Sequence, residues 1–258
     1  MRILIMGAGK MGTFLTDALC MNHEVALFDT DASRLRFVFN TRRLSQLDEI
    51  TYFQPELVIN AVTIKYTIDA FQKVLPLLPH NCILSDIASV KTGLPEFYQN
   101  SGFRFVSTHP MFGPTFARLD NLSDQNAIII KEGDDEGKQF FRDFYKTLRL
   151  RIFEYSFLEH DRTTAYSLSV PFATTLAFAS VIEKQEAPGT TFKRHMDIAH
   201  GFLNEDSFLI SEVLFNPFSA ERVAKIRDNM AELLDIIETK DKTRLDAFVS
   251  QAKKNVEG

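Results

Sequence analysis

The fold of this chain is decided near its start, by residues 2–12, which read RILIMGAGKMG. Residues 2–6 are a short apolar run followed by glycine, which is typical of a buried strand. Three glycines then follow the spacing G-x-G-x-x-G, and apolar residues recur at helical spacing from Lys10 to Asn22. In such a unit the first glycine permits a tight turn, the second lets a pyrophosphate approach the backbone, and the third lets helix and strand pack closely. The stretch therefore predicts a dinucleotide-binding strand–turn–helix unit.

Strand and helix patterns alternate from this unit up to residue 155. Apolar runs predict strands at Arg2–Met6, Glu24–Phe28, Leu57–Val62, Cys82–Ile87, Arg104–Ser107, Ala127–Lys131 and Arg151–Tyr155. Amphipathic stretches predict helices at Lys10–Asn22, Ala32–Phe39, Thr67–Leu78 and Asp134–Leu148. This alternation predicts an α/β fold, a doubly wound parallel sheet with helices on both faces, as in a Rossmann domain.

The strand pattern stops after Ser156, and the remaining chain is predicted to be helical. Helices are expected at Phe157–Lys184, Phe192–Phe202, Asp206–Phe215, Ser219–Thr239 and Lys242–Asn255. Pro171 is expected to kink or break the first of them, because proline removes a helical hydrogen bond. We therefore predict two domains, a dinucleotide-binding domain over residues 1–155 and an all-α domain over residues 156–258.

Composition excludes several classes of protein. The chain has 258 residues, of which 45% are hydrophobic and 24% charged, as in ordinary globular proteins. Its net charge of −5 gives no general attraction to nucleic acid or to an acidic membrane. No apolar run approaches the ~20 residues of a membrane span, and the N-terminus lacks a signal-peptide pattern, so we expect a cytoplasmic protein. Cys20 and Cys82 are expected to be buried free thiols, and no His/Cys spacing predicts a metal site.

The end of the second predicted strand bears on the choice of cofactor. Asp29 stands there, where a carboxylate can accept hydrogen bonds from the adenosine ribose hydroxyls and repel a 2′-phosphate. This favours NAD over NADP, although Arg34 is close enough in sequence to favour a phosphate. The residues predicted to contact the cofactor are Gly7, Gly9, Lys10, Met11, Gly12, Asp29 and Thr63.

Two polar segments follow predicted strands and should lie on the cofactor side of the sheet. They are residues 86–91, DIASVK, and residues 107–114, STHPMFGP. His109 can exchange a proton near neutral pH, Ser89 can hydrogen-bond to substrate, cofactor or His109, and Lys91 can hold a carboxylate. The residues alone fit equally a structural histidine, a capped loop and a solvated lysine.

Taken together, these segments resemble the prephenate and arogenate dehydrogenases of tyrosine biosynthesis. The likeness rests on the glycine motif, on Asp86-x-x-Ser89-Val90-Lys91, on Thr108-His109-Pro110-Met111-Phe112-Gly113-Pro114, and on Glu159-His160-Asp161-Arg162. The resemblance implies NAD-dependent oxidative decarboxylation of prephenate to 4-hydroxyphenylpyruvate, or of arogenate to tyrosine. It implies that His109 is the general base toward the 4-hydroxyl, that Ser89 orients this hydroxyl, and that Lys91 binds substrate or supports the site. We interpret Glu159-His160-Asp161 as structural.

The sequence also departs from this family. Members carry a histidine midway along the first long helix of the second domain, where this chain has Ser169-Val170-Pro171-Phe172. They also carry a later arginine for a substrate carboxylate, and the nearest cations here are Lys193 and Arg194, which we take as substrate-binding candidates. Another two-domain NAD(P)-dependent hydroxyacid dehydrogenase, or an NAD-sensing protein without turnover, therefore stays open. The resemblance further implies a homodimer that forms through the helical domain.

Overall fold

The computed structural model describes residues 1–113, 121–204 and 207–257. The chain forms two compact units, Met1–Arg162 and Thr163–Gly258. The domain boundary predicted at residue 155 lies slightly before the division between these two units. That this boundary separates two functional domains stays a prediction. The predicted α/β class, with a helical region after the dinucleotide domain, is confirmed.

A single sheet forms the centre of the first unit. In the described residues its strands are β1 Arg2–Met6, β2 Glu24–Phe28, β3 Arg42–Leu44, β4 Leu57–Asn60, β5 Ile83–Asp86, β6 Arg104–Pro110, β7 Asn126–Ile130 and β8 Arg151–Tyr155. Their spatial order is β3-β2-β1-β4-β5-β6-β7-β8. The order reverses direction between β1 and β4, and ligands bind at such a switch point in open α/β sheets.

One part of the sheet differs from the all-parallel prediction. β6 and β7 are antiparallel, with Thr108 opposite Ile129 and His109 opposite Ile128. An apolar run buried on both faces has the same pattern in either direction, so the sequence does not reveal the orientation of β7. The strands from β1 to β6 that pair side by side are parallel, and their carboxyl ends therefore share one edge.

Helices cover this sheet and make up the second unit. They are α1 Lys10–Leu19, α2 Glu49–Phe53, α3 Thr67–Val74, α4 Leu94–Ser101, α5 Asp135–Thr147, α6 Phe157–Thr164, α7 Val170–Val181, α8 Thr190–Leu203, α9 Ser207–Leu214, α10 Ser219–Thr239 and α11 Lys242–Glu257. β3, α2 and α4 were not predicted, because three to eight residues are too few for a clear period. The predicted helix Ala32–Phe39 is a short 3₁₀ turn over Ala32–Leu35.

Two apolar cores hold the helices of the first unit on the sheet. Successive residues of β1 point to opposite faces: Ile3 packs in the core on the α1 and α5 side, and Leu4 packs in the core with α3 and α4. Phe141 of α5 and Phe71 of α3 are both fully buried. This packing fixes the strands and therefore the loops at their carboxyl ends.

The second unit has its own buried polar contact. A π-helical turn, Ala165–Ser169, precedes α7, and Pro171 is the second residue of that helix. Ser169 is buried, and its Oγ lies 2.6 Å from Ser219 Oγ. The predicted helix Asp206–Phe215 begins outside the described residues, which contain α9. Among the helices of the described ranges, none is long and apolar enough to cross a membrane.

Candidate active site

The glycine turn after β1 has the geometry that its spacing predicts. Gly7 has a φ of +98°, and a side chain there would also approach Ala61 O to 2.8 Å. A Cβ on Gly12 would lie 1.8 Å from the Gly7 carbonyl oxygen, so only glycine lets α1 pack this closely. Gly9 differs, because its Cβ would meet nothing within 4 Å. Open space beside the first turn of a helix suits an approaching anion.

A cavity of about 550 Å³ opens beside this turn. Of the residues predicted to contact the cofactor, Gly7, Gly9, Asp29 and Thr63 line it. Lys10, Met11 and Gly12 lie in the first turn of α1 and are not among its lining residues. The cavity therefore lies between the glycine turn and the end of β2, where an adenosine ribose is expected.

Asp29 is held in a fixed orientation at the rim of this cavity. Its Oδ2 accepts a hydrogen bond from the Ala8 N–H at 2.7 Å, and its Oδ1 accepts one from the Asp31 N–H at 2.8 Å. Arg34 lies at the same place, with Nη1 4.0 Å from Asp29 Oδ2, and it is half exposed. Asp31 Oδ2 lies 3.5 Å from Arg34 Nε, so two carboxylates partly offset the positive charge of Arg34, which disfavours a bound 2′-phosphate.

A buried ion pair connects the two polar loops that the sequence singled out. The Lys91 ammonium lies 2.5 Å from Asp86 Oδ2 and donates a second hydrogen bond to the Thr108 carbonyl at 2.7 Å. Both side chains are fully buried, so Lys91 is not available to hold a substrate carboxylate. Lys91 was predicted either to bind substrate or to support the site, and this geometry favours the second role. Burial lowers the pKa of Lys91, and the Asp86 carboxylate opposes this effect.

Two tyrosines complete this buried network. The Tyr98 hydroxyl donates to Asp86 Oδ1 at 2.7 Å, and the Tyr145 hydroxyl donates to Thr108 Oγ1 at 2.9 Å. Burial raises the pKa of both hydroxyls, which keeps them protonated and able to donate. The network therefore fixes Thr108, the residue that precedes His109 in β6.

His109 is buried at the end of β6 and contacts a second histidine. Its Nδ1 lies 3.1 Å from His160 Nε2, and His160 Nδ1 lies 3.2 Å from Asp161 Oδ1. Burial lowers the pKa of His109 well below its ordinary value, and the nearby His160 and Lys91 lower it further. Burial also lowers the pKa of His160, although Asp161 opposes the shift. Both rings are therefore neutral at neutral pH.

The loop after His109 packs against the helix of the glycine turn. Phe112 contacts Phe14 of α1 edge to face, with ring centroids 5.8 Å apart. This contact joins the predicted catalytic loop to the predicted cofactor turn within one unit. Pro114, the last residue of the quoted segment, lies outside the described residues.

In the part of the chain that the structure describes, the other predicted site residues do not take part in the hydrogen-bond network around Asp86, Thr108 and His109. Ser89 is half-buried in the bend after β5, and within the described residues no hydrogen bond joins it to His109. Lys193 and Arg194 are exposed in the first turns of α8, in the second unit. Their assignments to substrate stay predictions.

Sequence reasoning missed the partners of the residues it selected. His160 and Asp161 were interpreted as structural, whereas the structure places His160 against His109. The sequence did not predict this contact because the two histidines are 51 residues apart, and only the packing of α6 brings them together. Asp86 was selected for its place at a strand end, but no sequence signal identified Tyr98 as its hydrogen-bond partner or Tyr145 as the partner of Thr108.

The fold and site together define the class of protein. A doubly wound sheet with a glycine turn and a cavity at the end of β2 is a nucleotide-binding domain. The family model for the nucleotide-binding domain of prephenate dehydrogenase matches residues 18–151. The chain therefore belongs to the prephenate dehydrogenase family, whose members are dehydrogenases, and the predicted family is confirmed.

Individual relatives and solved structures that this chain resembles are described as prephenate or arogenate dehydrogenases. A probable arogenate/prephenate dehydrogenase of Methanocaldococcus jannaschii is 23% identical over 218 residues, which are 78% of this chain and 48% of that protein. The chain spans about half the length, or less, of the curated relatives it matches. One solved structure with the same fold is prephenate dehydrogenase from A. aeolicus in complex with hydroxyphenyl propionate and NAD+. Its TM-score to this chain is 0.85 and its sequence identity is 18%, and the match covers 99% of this chain and 97% of that one. Synechocystis arogenate dehydrogenase shares it with a TM-score of 0.78 and 16% identity, over 100% and 99% of the two chains.

Proposed function

We propose that this protein is an NAD-dependent prephenate dehydrogenase, which converts prephenate to 4-hydroxyphenylpyruvate in tyrosine biosynthesis. The observation that carries the proposal is His109, a buried and neutral histidine at the carboxyl edge of the sheet that also carries the glycine turn. A neutral imidazole in this place can accept a proton while a substrate is oxidised beside it. The shared fold with an enzyme solved in complex with hydroxyphenyl propionate and NAD+ supports this choice.

The residues of the cavity fit NAD. Gly9 leaves room for a pyrophosphate at the first turn of α1, and Asp29 presents a fixed carboxylate where the adenosine ribose would lie. Bound NAD supplies the acceptor for a hydride. The residues of the chain then bind and orient the two reactants.

In this reaction His109 takes the proton of the substrate's 4-hydroxyl as a hydride leaves C4. The ring carboxylate departs as CO₂, the ring becomes aromatic, and the proton on His109 returns to the resulting phenolate oxygen to give 4-hydroxyphenylpyruvate. Formation of the aromatic ring makes the step effectively irreversible. Ser89 helps to orient the hydroxyl, and the Asp86–Lys91 pair holds the strand that carries the base. Lys193 and Arg194 are the candidates for the substrate carboxylate.

His109→Asn tests the assigned base. The variant should bind NAD normally and lose at least about 10²-fold in kcat with prephenate, since general base catalysis contributes roughly that factor or more. His80→Asn, a change at an exposed histidine of the same unit, is the matched control and should keep full activity. An active His109→Asn enzyme would contradict the mechanism.

We also propose that the protein forms a homodimer through its helical unit. None of the twelve residues of α7 is buried, although nine of them are apolar. Val181 is 77% exposed and Phe215 81% exposed. Exposed apolar surface of this kind is typical of a protein–protein interface, and we expect a second copy of the chain to supply the complementary face.

The oligomer is tested by light scattering at micromolar concentration. The wild type should have twice the 29.4 kDa mass of the chain, and Val181→Glu should shift it toward the monomer. Met21→Glu, at an apolar residue of the first unit that is 83% exposed, should leave the mass unchanged. A monomeric wild type would refute the dimer. The cytoplasmic location stays a prediction.

A further inference from the structure

The contact between His109 and His160 determines which ring nitrogen carries the proton. An ionised carboxylate only accepts hydrogen bonds, so His160 Nδ1 donates to Asp161 Oδ1 across 3.2 Å. A neutral imidazole has one donor and one acceptor nitrogen, and His160 Nε2 is therefore an acceptor. His109 Nδ1, which lies 3.1 Å from it, must donate.

The protonation state of the second ring nitrogen of His109, Nε2, follows from this assignment. With the proton on Nδ1, Nε2 carries the lone pair that a general base needs. If His160 instead carried two protons, it would donate to His109 Nδ1 and leave Nε2 protonated and useless as a base. Burial of both rings excludes this charged arrangement at neutral pH, because a buried cation is costly.

We propose that His160 and Asp161 are positioning residues that hold His109 in the tautomer with its lone pair on Nε2. The proposal rests on the proposed role of His109 as a general base. Neither His160 nor Asp161 needs to touch substrate, because both act through the His109 ring. His160 is completely buried, so its ring has little freedom to leave the contact.

Three variants separate positioning from simple packing. His160→Leu removes the acceptor, whereas His160→Gln places an amide oxygen near the former Nε2 position and can still accept from His109. Asp161→Asn offers an amide that can donate as well as accept, and thereby weakens the preference for one His160 tautomer. Circular dichroism establishes that each variant folds, and His80→Leu serves as the surface control.

The first readout is independent of activity. Long-range ¹H–¹⁵N correlation spectra of the ¹⁵N-histidine-labelled protein show which nitrogen of each ring is protonated. The wild type and His160→Gln should show His109 protonated at Nδ1, and His160→Leu should show a mixture or the other tautomer. A wild-type spectrum with the His109 proton on Nε2 overturns the proposal, whether or not the protein is a prephenate dehydrogenase.

The second readout is the division of the effect between kcat and KM. His160→Leu should lower kcat by about 10²-fold or more with little change in KM, as loss of the correct base form does, and His160→Gln should restore most of it. An active wild type whose His160→Leu variant keeps its kcat within about twofold overturns the positioning role. If His160→Leu does not fold, Asp161→Asn and His160→Gln decide by the same two readouts. A wild type inactive on prephenate refutes the proposed function, and the spectra alone then judge the tautomer.

Discussion

The buried pair of Asp86 and Lys91 makes the stability of the first unit sensitive to a single change. Lys91→Met removes the ammonium but leaves the Asp86 carboxylate in a site from which water is excluded. Its remaining hydrogen bonds, from the Tyr98 hydroxyl and the Ala88 N–H, do not supply a positive charge. Breaking one partner of a buried pair typically costs about 3–5 kcal/mol, and we expect a loss of that size. For a chain of this length it corresponds to a fall of roughly 6–20 °C in Tm.

Urea unfolding followed by circular dichroism measures this loss, which suits a chain without tryptophan. The double variant Asp86→Asn/Lys91→Met removes both charges and should recover at least about 2 kcal/mol relative to Lys91→Met. Lys146→Met, which removes half of an exposed pair with Asp143, is the control and should change the midpoint little. A loss below about 1 kcal/mol for Lys91→Met, or a double variant less stable than the single one, would refute the reasoning.

Two further predictions concern protonation and the glycine turn. The folded state lowers the pKa of His109 and His160, so the unfolded chain binds more protons than the folded chain below about pH 6.5. As the pH is lowered through this range, the free energy of unfolding should therefore fall by up to about 1.4 kcal/mol per pH unit for each histidine. Urea midpoints that stay constant from about pH 7.5 to 5.5 would contradict those shifts. Gly12→Ala should destabilise the fold, because its Cβ would overlap the Gly7 carbonyl, whereas Gly9→Ala should fold normally and weaken NAD binding by about tenfold or more. Calorimetric titration of NAD separates the two, and equal NAD affinity for wild type and Gly9→Ala would argue against a pyrophosphate at this turn.

The sequence predicts the parts of the fold that have a clear period or a fixed geometry. β1, the glycine turn and β2 were placed correctly, because an apolar run and three spaced glycines admit few other structures. β3 was missed because it has three residues, two of them arginines with exposed side chains. The direction of β7 was missed because apolar residues alone do not encode it.

The candidate site could be predicted from the sequence only in part. Sequence identifies His109 and Lys91 by residue type and by their place after strands, but it does not reveal that Lys91 is buried against Asp86. Nor does it show that His160 contacts His109, because these two residues are 51 positions apart in the chain. The cofactor turn was easier to predict because its three glycines lie together within residues 7–12.

The most direct test of the account is the formation of NADH by the purified protein. Its absorbance is followed with NAD or NADP and with prephenate, arogenate or a panel of hydroxyacids, and His109→Asn is run beside the wild type. We expect NADH with prephenate, slower turnover with arogenate and with NADP, and none with the hydroxyacids. Absence of NADH with both prephenate and arogenate, in a folded protein that binds NAD, would contradict the central claim.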